Sequence, residues 1–402
     1  MIVAHVSDCY PPRTGGIESQ VSDLAARQAA AGHRVHVLTA TLGEGGERAG
    51  VVDVEHGVHV HRLGARMPFD LPVNPAQARL IDEALRAVRP DVVHVHAGVL
   101  SPFAFDGARR ALAAGLPLAI TWHCMLDGVV PALRLGARVS GWQRAPVALS
   151  AVSGVAAARV AEVFGAAVQV VPNGLDLERW AAGGARATEG AVGAAPRGTA
   201  GVAGPRDGGA RAAADPVRLV ATMRLAPRKR AVPLVDAVAG AVRRLPAGAV
   251  RLDLIGDGPD RGRVAARVAH HGLADVVTLR GRLPRAEVRA AYADADVFLA
   301  PAELEAFGIA ALEARAAGLV VVARRGTGIE EFVADGVDGV LVTDDAAMAD
   351  AVVRLARDHA ELARMRAHNA AVLPDLGWDR VLLAAAGEYD RARSLRAGQP
   401  AA

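Results

Sequence analysis

Lysine is all but missing from this 402-residue chain: Lys229 stands alone, and arginine supplies every other fixed cation. Lysine is a compact point charge suited to phosphate, whereas arginine is a planar fork. The single exception, inside Arg224-Leu-Ala-Pro-Arg-Lys-Arg230, therefore marks a place where an ammonium on a thin stem serves. Cysteine is nearly as scarce. Cys9 and Cys124 form no CxxC and no zinc spacing, which argues against a cysteine-built metal centre and fits a reducing compartment. No uninterrupted apolar run approaches the ~18 residues that a membrane-spanning helix needs. The opening Met1-Ile-Val-Ala-His-Val lacks the basic start and the apolar length of a signal peptide, so the expected setting is the cytoplasm. A basic tract is also lacking. The net charge of +3 is small and the high pI reflects dispersed arginine, so no nucleic-acid partner is expected. Aromatics are few, which leaves Ala, Val and Leu to build the cores.

What is there is an alternation of short Val/Leu/Ile runs with Ala/Arg/Leu-rich helical stretches, the pattern of parallel sheets covered on both faces by helices. The length exceeds what one core usually fills. The alternation predicts an α/β architecture of two doubly wound, Rossmann-like domains facing a central cleft. The first spans residues 1–180, with strands at Ile2–Val6, Arg34–Leu38, Val58–Arg62, Asp91–Val95, Leu118–Trp122, Ala148–Val152 and Val168–Val171. The second spans 216–375, with strands at Arg218–Thr222, Arg251–Ile255, Val276–Leu279, Val297–Ala300, Leu319–Val322 and Val340–Val342. Between them, 181–215 is rich in Gly, Ala and Arg without apolar periodicity and reads as a linker or surface excursion. Residues 376–402 carry a helix, Trp378–Arg396, that could pack back on the first domain.

Three constellations could do chemistry. Tyr10-Pro-Pro-Arg-Thr-Gly15-Gly16-Ile-Glu18 lies between the first strand and the first helix. Its glycines permit close backbone approach and its helix start offers free N–H groups to an anion. It is not a dinucleotide fingerprint, because GxGxxG is missing. Arg224 and Lys229 follow the first strand of the second domain, where α/β sheets bind ligands, and both could reach a diphosphate. Glu303-Leu-Glu305-Ala-Phe307-Gly308-Ile309-Ala-Ala-Leu-Glu313 follows the run Val297–Ala300 and Pro301. It places Glu305 in a loop and Glu313 in the early turns of the next helix. Carboxylates accept from vicinal hydroxyls, so a sugar is a natural partner for both. Other signals are weaker. Gly256-Asp-Gly258-Pro-Asp-Arg-Gly262 has the spacing GxGxxxG with a proline inside it. Asp294-Ala-Asp296 spells DxD but bridges a helix end and a strand start, which favours a structural use. The pairs His94/His96 and His59/His61 each share a strand face, but no complete set of metal ligands can be named, so no metal and no cofactor is expected.

Taken in order, these segments resemble the retaining glycosyltransferase family 4, of GT-B fold. The resemblance also draws on His94-Val-His96, Trp122-His123, Ser153, Val171-Pro-Asn-Gly-Leu-Asp176 and Gly328-Ile-Glu-Glu331. The paired E-x7-E and R-x4-K spacings are its specific part, and it covers most of the chain outside the linker and the last ~25 residues. The resemblance implies transfer of a sugar from a UDP- or GDP-sugar to an unidentified acceptor, with retention and without a metal. Arg224 and Lys229 would neutralise the diphosphate, Glu313 would hold the ribose, and Glu305 and His123 would face the donor sugar. Gly15 and Gly16 would let a loop close on the phosphates, and Gly256, Phe307, Gly308 and Ile309 would contribute backbone to the donor. The chain departs from the family at Met223, Ala306 and Glu330, where Gly, Gly and Pro are frequent, and this bears on donor preference. The alternatives are a catalytically silent nucleotide-sugar-binding or scaffolding homologue, and an NAD-type oxidoreductase, which the first-turn sequence disfavours. Leu133-Arg-Leu-Gly-Ala-Arg138, with Trp142 and Arg144, is a basic amphipathic segment that could touch anionic lipid from the side of the acceptor domain.

Overall fold

The structure is a computed structural model that describes residues 1–13, 15–45, 49–65, 74–181 and 215–398. The Gly/Ala-rich segment expected over 181–215 lies outside the described residues apart from its two end positions, and so does Thr14 in the first glycine turn. The chain divides into two compact units. One comprises 1–174, 305–307 and 376–402, and the other 175–304 and 308–375.

In the first unit the strands are β1 (Ile2–Ser7), β2 (Arg34–Thr39), β3 (Val51–Glu55), β4 (Val58–Arg62), β5 (Val92–Ala97), β6 (Leu118–Trp122), β7 (Val147–Ala151) and β8 (Gln169–Val170). They form one sheet in the order β3-β4-β2-β1-β5-β6-β7-β8, parallel except for the hairpin strand β3. The order reverses at β1 and β5, so the loops after these strands diverge and leave a crevice at their carboxyl ends. Among the described residues the helices α1 (Gly16–Ala30), α2 (Gln77–Val88), α3 (Pro102–Ala113), α4 (Val130–Val139) and α5 (Gly154–Phe164) accompany the sheet. The Ser153 side chain caps α5 by accepting from the Ala156 N–H at 3.3 Å, which accounts for a serine there.

The C-terminal helix α13 (Trp378–Ala397) belongs to this unit and packs over β5, β6 and β7. Its Ala385, Tyr389 and Ala392 bury against Val3, Val92, Ala119, Ala148 and Val171. Small residues at two of those helix positions let the backbone approach the sheet closely. Gly174 shows the same constraint, since a Cβ there would sit 2.7 Å from the Trp378 indole, and both its backbone groups bond the Gln20 amide.

The second unit holds β9 (Val217–Thr222), β10 (Val250–Ile255), β11 (Val277–Gly281), β12 (Val297–Ala300), β13 (Val320–Arg324) and β14 (Gly339–Val342), all parallel, in the order β11-β10-β9-β12-β13-β14. This is the doubly wound 3-2-1-4-5-6 arrangement, whose switch point falls between β9 and β12. Its helices are α6 (Leu177–Trp180), α7 (Ala231–Val242), α8 (Arg261–His270), α9 (Arg285–Ala293), α10 (Ile309–Ala316), α11 (Asp345–Arg357) and α12 (His359–Ala371). The strands read as near-continuous aliphatic runs because both faces are covered, with the side chains of α7 and α11 meeting those of β9, β10 and β13 in one core.

Candidate donor site and the histidine face

In the second unit the loops that leave β9, β10 and β12 gather at the carboxyl edge of the sheet. Arg224 is exposed just beyond β9. Lys229 closes a single 3₁₀ turn, Pro227–Lys229, by bonding its N–H to the Ala226 carbonyl at 2.9 Å. The neighbouring loop after β10 is laced to this one: Leu225 N–H bonds Asp257 O at 2.9 Å, and Asp260 N–H returns to Leu225 O at 2.9 Å. This contact explains both glycines of the Gly-Asp-Gly sequence. Gly256 (φ +129°) and Gly258 (φ +157°) lie where an L side chain is strained, and a Cβ on Gly256 would stand 1.9 Å from the Met223 carbonyl oxygen. The glycines let one loop brace the other, so the loop that carries Arg224 is held from behind. Gly256→Ala is expected to cost the second unit at least ~2 kcal/mol from backbone strain alone. Its thermal midpoint should fall by about 5 °C or more, and an unchanged melting curve would refute this account.

The loop after β12 runs through Glu303 and Glu305 to Gly308, which caps α10 with φ +90° and no side chain bonded to the helix start. The first amides of α10, from Ile309 on, are thus presented at a helix N-terminus whose cap residue is glycine, a setting suited to an anion. Glu313 lies in the second turn of α10 and is buried, with Arg285 Nη2 at 3.3 Å from Oε1. Glu305 is half-buried and Phe307 buried, and both group with the first unit. Glu303 joins a ring of four charges. Arg230 and Arg324 each reach it, at 3.2 and 3.1 Å, and both also reach Asp345, at 2.5 and 3.4 Å. These residues leave β9, β12, β13 and β14, so the ring ties four site loops together. Arg230 pairs this way while its backbone holds φ +60°, a conformation unusual for arginine. Glu330, which replaces the frequent proline, accepts from the Gly326 N–H at 2.6 Å and shapes the turn after β13.

The DxD sequence has a structural use. Asp296 is buried and accepts from the Arg218 N–H and from Arg366 Nη1, each at 2.8 Å, while Asp294 ends α9.

In the first unit, Gly15 precedes α1 in extended conformation and Gly16 is its first residue. A Cβ on Gly15 would collide with the Glu18 carboxylate at 2.3 Å, so the turn admits only glycine unless Glu18 moves. His123 follows β6 and is half-buried. It opens onto a cluster of buried polar side chains. Strand register sets His5 beside His94 and His96 beside Thr121, with Thr121 beside Ser150, all on the face that α13 covers. His96 Nδ1 lies 3.0 Å from His123 Nε2, and His5 Nδ1 lies 2.9 Å from His96 Nε2. A small pocket lined by His94, His96, Thr121, His123, Asn173 and Trp378 adjoins them. Burial pushes the His5 and His123 imidazoles down to about 4 and those of His94 and His96 well below the ordinary histidine value. His5, His94 and His96 are close enough together to suggest a metal. Two imidazoles on one tetrahedral zinc would hold their nitrogens ~3.3 Å apart, given bonds of ~2.0–2.1 Å. The 2.9 Å spacing is that of a shared proton.

Sequence reasoning found the H-x-H alternation on β5 but missed His5, Gln28 and Tyr389. Only strand register and the packing of α1 and α13 bring these to it.

Two Rossmann-like doubly wound units, one carrying paired cations at its switch point, define the GT-B class of sugar transferases. Residues 14–179 match the family described as Glycosyltransferase Family 4, and residues 216–358 match Glycosyl transferases group 1. The chain is 31% identical over 383 residues to a GDP-mannose-dependent alpha-(1-6)-phosphatidylinositol monomannoside mannosyltransferase of Mycolicibacterium smegmatis, with 90% of each chain covered. It is 28% identical over 446 aligned positions to a D-inositol 3-phosphate glycosyltransferase of Xylanimonas cellulosilytica, covering 98% and 97%. In fold it is similar to Anabaena HepE in complex with UDP and glucose (TM-score 0.71, 19% identity, 96% and 99% covered). It is likewise similar to a sucrose-phosphate synthase of Thermosynechococcus elongatus (TM-score 0.70, 21% identity, 98% and 99% covered). The chain belongs to glycosyltransferase family 4, and it is a glycosyltransferase.

Proposed function

We propose that this protein moves a hexosyl group from a nucleotide-diphosphate sugar to an acceptor bearing an inositol group, with retention of configuration and without a metal. The observation that carries the donor half is the bracing of the Arg224/Lys229 loop at the switch point, beside the loop that leads to the glycine-capped N-terminus of α10. Breaking the sugar–phosphate bond builds negative charge on the leaving diphosphate. Fixed cations and helix amides aimed at that charge stabilise the transition state without reorganising. In this reading Arg224 and Lys229 neutralise the diphosphate, and Gly308 and Ile309 offer backbone. Glu313 takes the ribose hydroxyls, while Glu305 and His123 face the sugar. Gly15 and Gly16 admit phosphate at the start of α1. The departing phosphate accepts the proton of the attacking hydroxyl on the same face of the sugar. The acceptor half rests on the names of the relatives, which act on inositol phosphate and on phosphatidylinositol mannoside.

The test is turnover of GDP-mannose, UDP-glucose and UDP-N-acetylglucosamine with inositol phosphate or phosphatidylinositol mannoside as acceptor, after a thermal-shift screen with GDP, UDP and ADP. A nucleotide present at 100 times its Kd raises stability by about 2.7 kcal/mol. Product formation with none of these pairs, together with no shift by any nucleotide, would overturn the reading.

An inositol-lipid acceptor calls for access to a membrane surface. No described helix is long and apolar enough to cross one. Helix α4 instead buries only Ala137 and exposes Leu135 (64%) and Val139 (80%) beside Arg134 and Arg138. An apolar stripe flanked by arginine suits the interface of an anionic bilayer. The protein is expected to co-sediment with phosphatidylglycerol vesicles and to lose most of that binding in Leu135→Glu/Val139→Glu. Equal sedimentation of both proteins would remove α4 from the picture.

A further inference from the structure

The buried polar groups under α13 form one continuous hydrogen-bonded chain, and its direction can be worked out from one end. The Ile120 backbone carbonyl can only accept, and Ser150 Oγ lies 3.3 Å from it. With its proton on that carbonyl, Ser150 accepts from Thr121 Oγ1 at 2.8 Å, and the Gln28 amide, whose nitrogen only donates and whose oxygen only accepts, sets the same direction between Tyr389 and His5 independently. Thr121, having donated, accepts from His94 Nε2 at 2.7 Å. A neutral imidazole has one donor and one acceptor, so His94 Nδ1 accepts from the Tyr389 hydroxyl at 2.9 Å. Tyr389, having donated in turn, accepts from Gln28 Nε2 at 2.8 Å, which turns the Gln28 carbonyl oxygen toward His5 Nε2 at 2.7 Å. His5 Nε2 donates and its Nδ1 accepts from His96 Nε2. His96 Nδ1 then accepts from His123 Nε2. Each link satisfies the next, and the last leaves His123 with its proton on Nε2 and a lone pair on Nδ1.

We propose that this one-way chain locks His123 in the Nε2–H tautomer, so that His123 meets the sugar as a hydrogen-bond acceptor for a hydroxyl and not as a donor to phosphate. Gln28 on α1 and Tyr389 on α13 are its positioning residues, acting on His123 through His5 and His96. The chain ends at a backbone carbonyl deep in the sheet, so it leads protons nowhere. Its effect is polarity: every donor points away from His123, and successive bonds polarise one another toward a more basic Nδ1. The catalytic consequence, though not the lock itself, rests on His123 facing the donor sugar as proposed above.

The experiment is long-range ¹H–¹⁵N correlation of the imidazoles in the ¹⁵N-labelled full chain at neutral pH, with His123 assigned by its loss in His123→Gln. The expected result is a single Nε2–H tautomer for His123. In Tyr389→Phe, which removes one hydroxyl and keeps the ring, both tautomers of His123 should appear. In the same variant kcat should fall about ten-fold, the scale seen when an outer partner that orients a histidine is lost, with the donor KM changing far less. An Nδ1–H or protonated His123 in the unmodified protein overturns the proposal. A His123 that stays wholly Nε2–H in Tyr389→Phe overturns the part assigned to Gln28 and Tyr389. If Tyr389→Phe does not fold, Gln28→Met cuts the same chain and is read the same way. A locked His123 in a protein that turns over none of the donors would defeat the proposed function and leave the lock standing.

Discussion

Replacing Lys229 with alanine is expected to lower kcat by about 10²–10³-fold, the range observed when one preorganised charge-stabilising group is removed from a site, while the melting curve stays within a degree or two. The physical reason is that Lys229 sits on a one-turn 3₁₀ segment whose backbone is held by its own Ala226 bond and by the brace from the Asp257–Asp260 loop. The side chain can therefore be cut without moving the loop. Because the charge on the diphosphate grows as the bond breaks, the loss should fall on kcat more than on KM. Lys229→Arg tests why a chain that uses arginine everywhere else keeps lysine here. A planar fork delivers its charge at a different reach and angle, so this variant is expected to remain at least about ten-fold below the unmodified enzyme. Steady-state kinetics with the donor identified by thermal shift decide both points. Full activity in Lys229→Ala would end the electrostatic account of the site.

The second large effect is acid lability of the first unit. His5, His94 and His96 are buried, and burial lowers the His5 imidazole to about 4 and those of His94 and His96 well below the ordinary histidine value. In the unfolded chain they titrate near ~6.5. Below that value the unfolded state binds protons that the folded state refuses, so stability is complete above about pH 6.5 and is lost as pH falls toward 4. His5, neutral in the folded state down to about 4, contributes roughly 3 kcal/mol over that window, and His94 and His96 add in the same direction. Against a total of ~5–15 kcal/mol for a domain, the melting point of the first unit should fall measurably as pH drops from 6.5 to 4.5. Asp8 acts in the opposite sense, because burial raises its carboxyl and a group with a raised folded value gains relative stability as pH falls. Melting curves at pH 7.5, 6.5, 5.5 and 4.5 measure the effect. A constant midpoint from pH 7.5 to 5.5 would contradict it.

The elements that could be read from the chain were those whose apolar pattern is local. β12 (Val297–Ala300) and β6 (Leu118–Trp122) are continuous aliphatic runs bounded by turns, and both lie where the alternation places them. β3 (Val51–Glu55) escaped notice because it is a half-exposed edge strand carrying Asp53 and Glu55, whose carboxylates pair with Arg62 across the hairpin. Helix α3 was not singled out either. Its buried face is largely alanine, which gives the pattern little contrast: Ala104, Ala108 and Ala111 line it. Gly256 was read as a donor contact, and the structure adds a reason for glycine there that requires no ligand, the 1.9 Å approach of the Met223 carbonyl.

By itself, the order of residues determined the α/β class, the doubly wound units, the family, and the segments that carry Arg224, Lys229, Glu305 and Glu313. Each of these is written in patterns that span fewer than about fifteen positions, within reach of backbone periodicity and turn chemistry. Tertiary structure alone decided which loops brace one another and how Arg230, Glu303, Arg324 and Asp345 close a ring. It also decided how His5, Gln28 and Tyr389 come to stand behind His123. Tyr389 lies 295 positions from His94 along the chain and 2.9 Å from it in space. Parallel strands are joined by crossovers, so neighbours in the sheet are remote in sequence, and hydrogen bonds between them depend on register that no local pattern records.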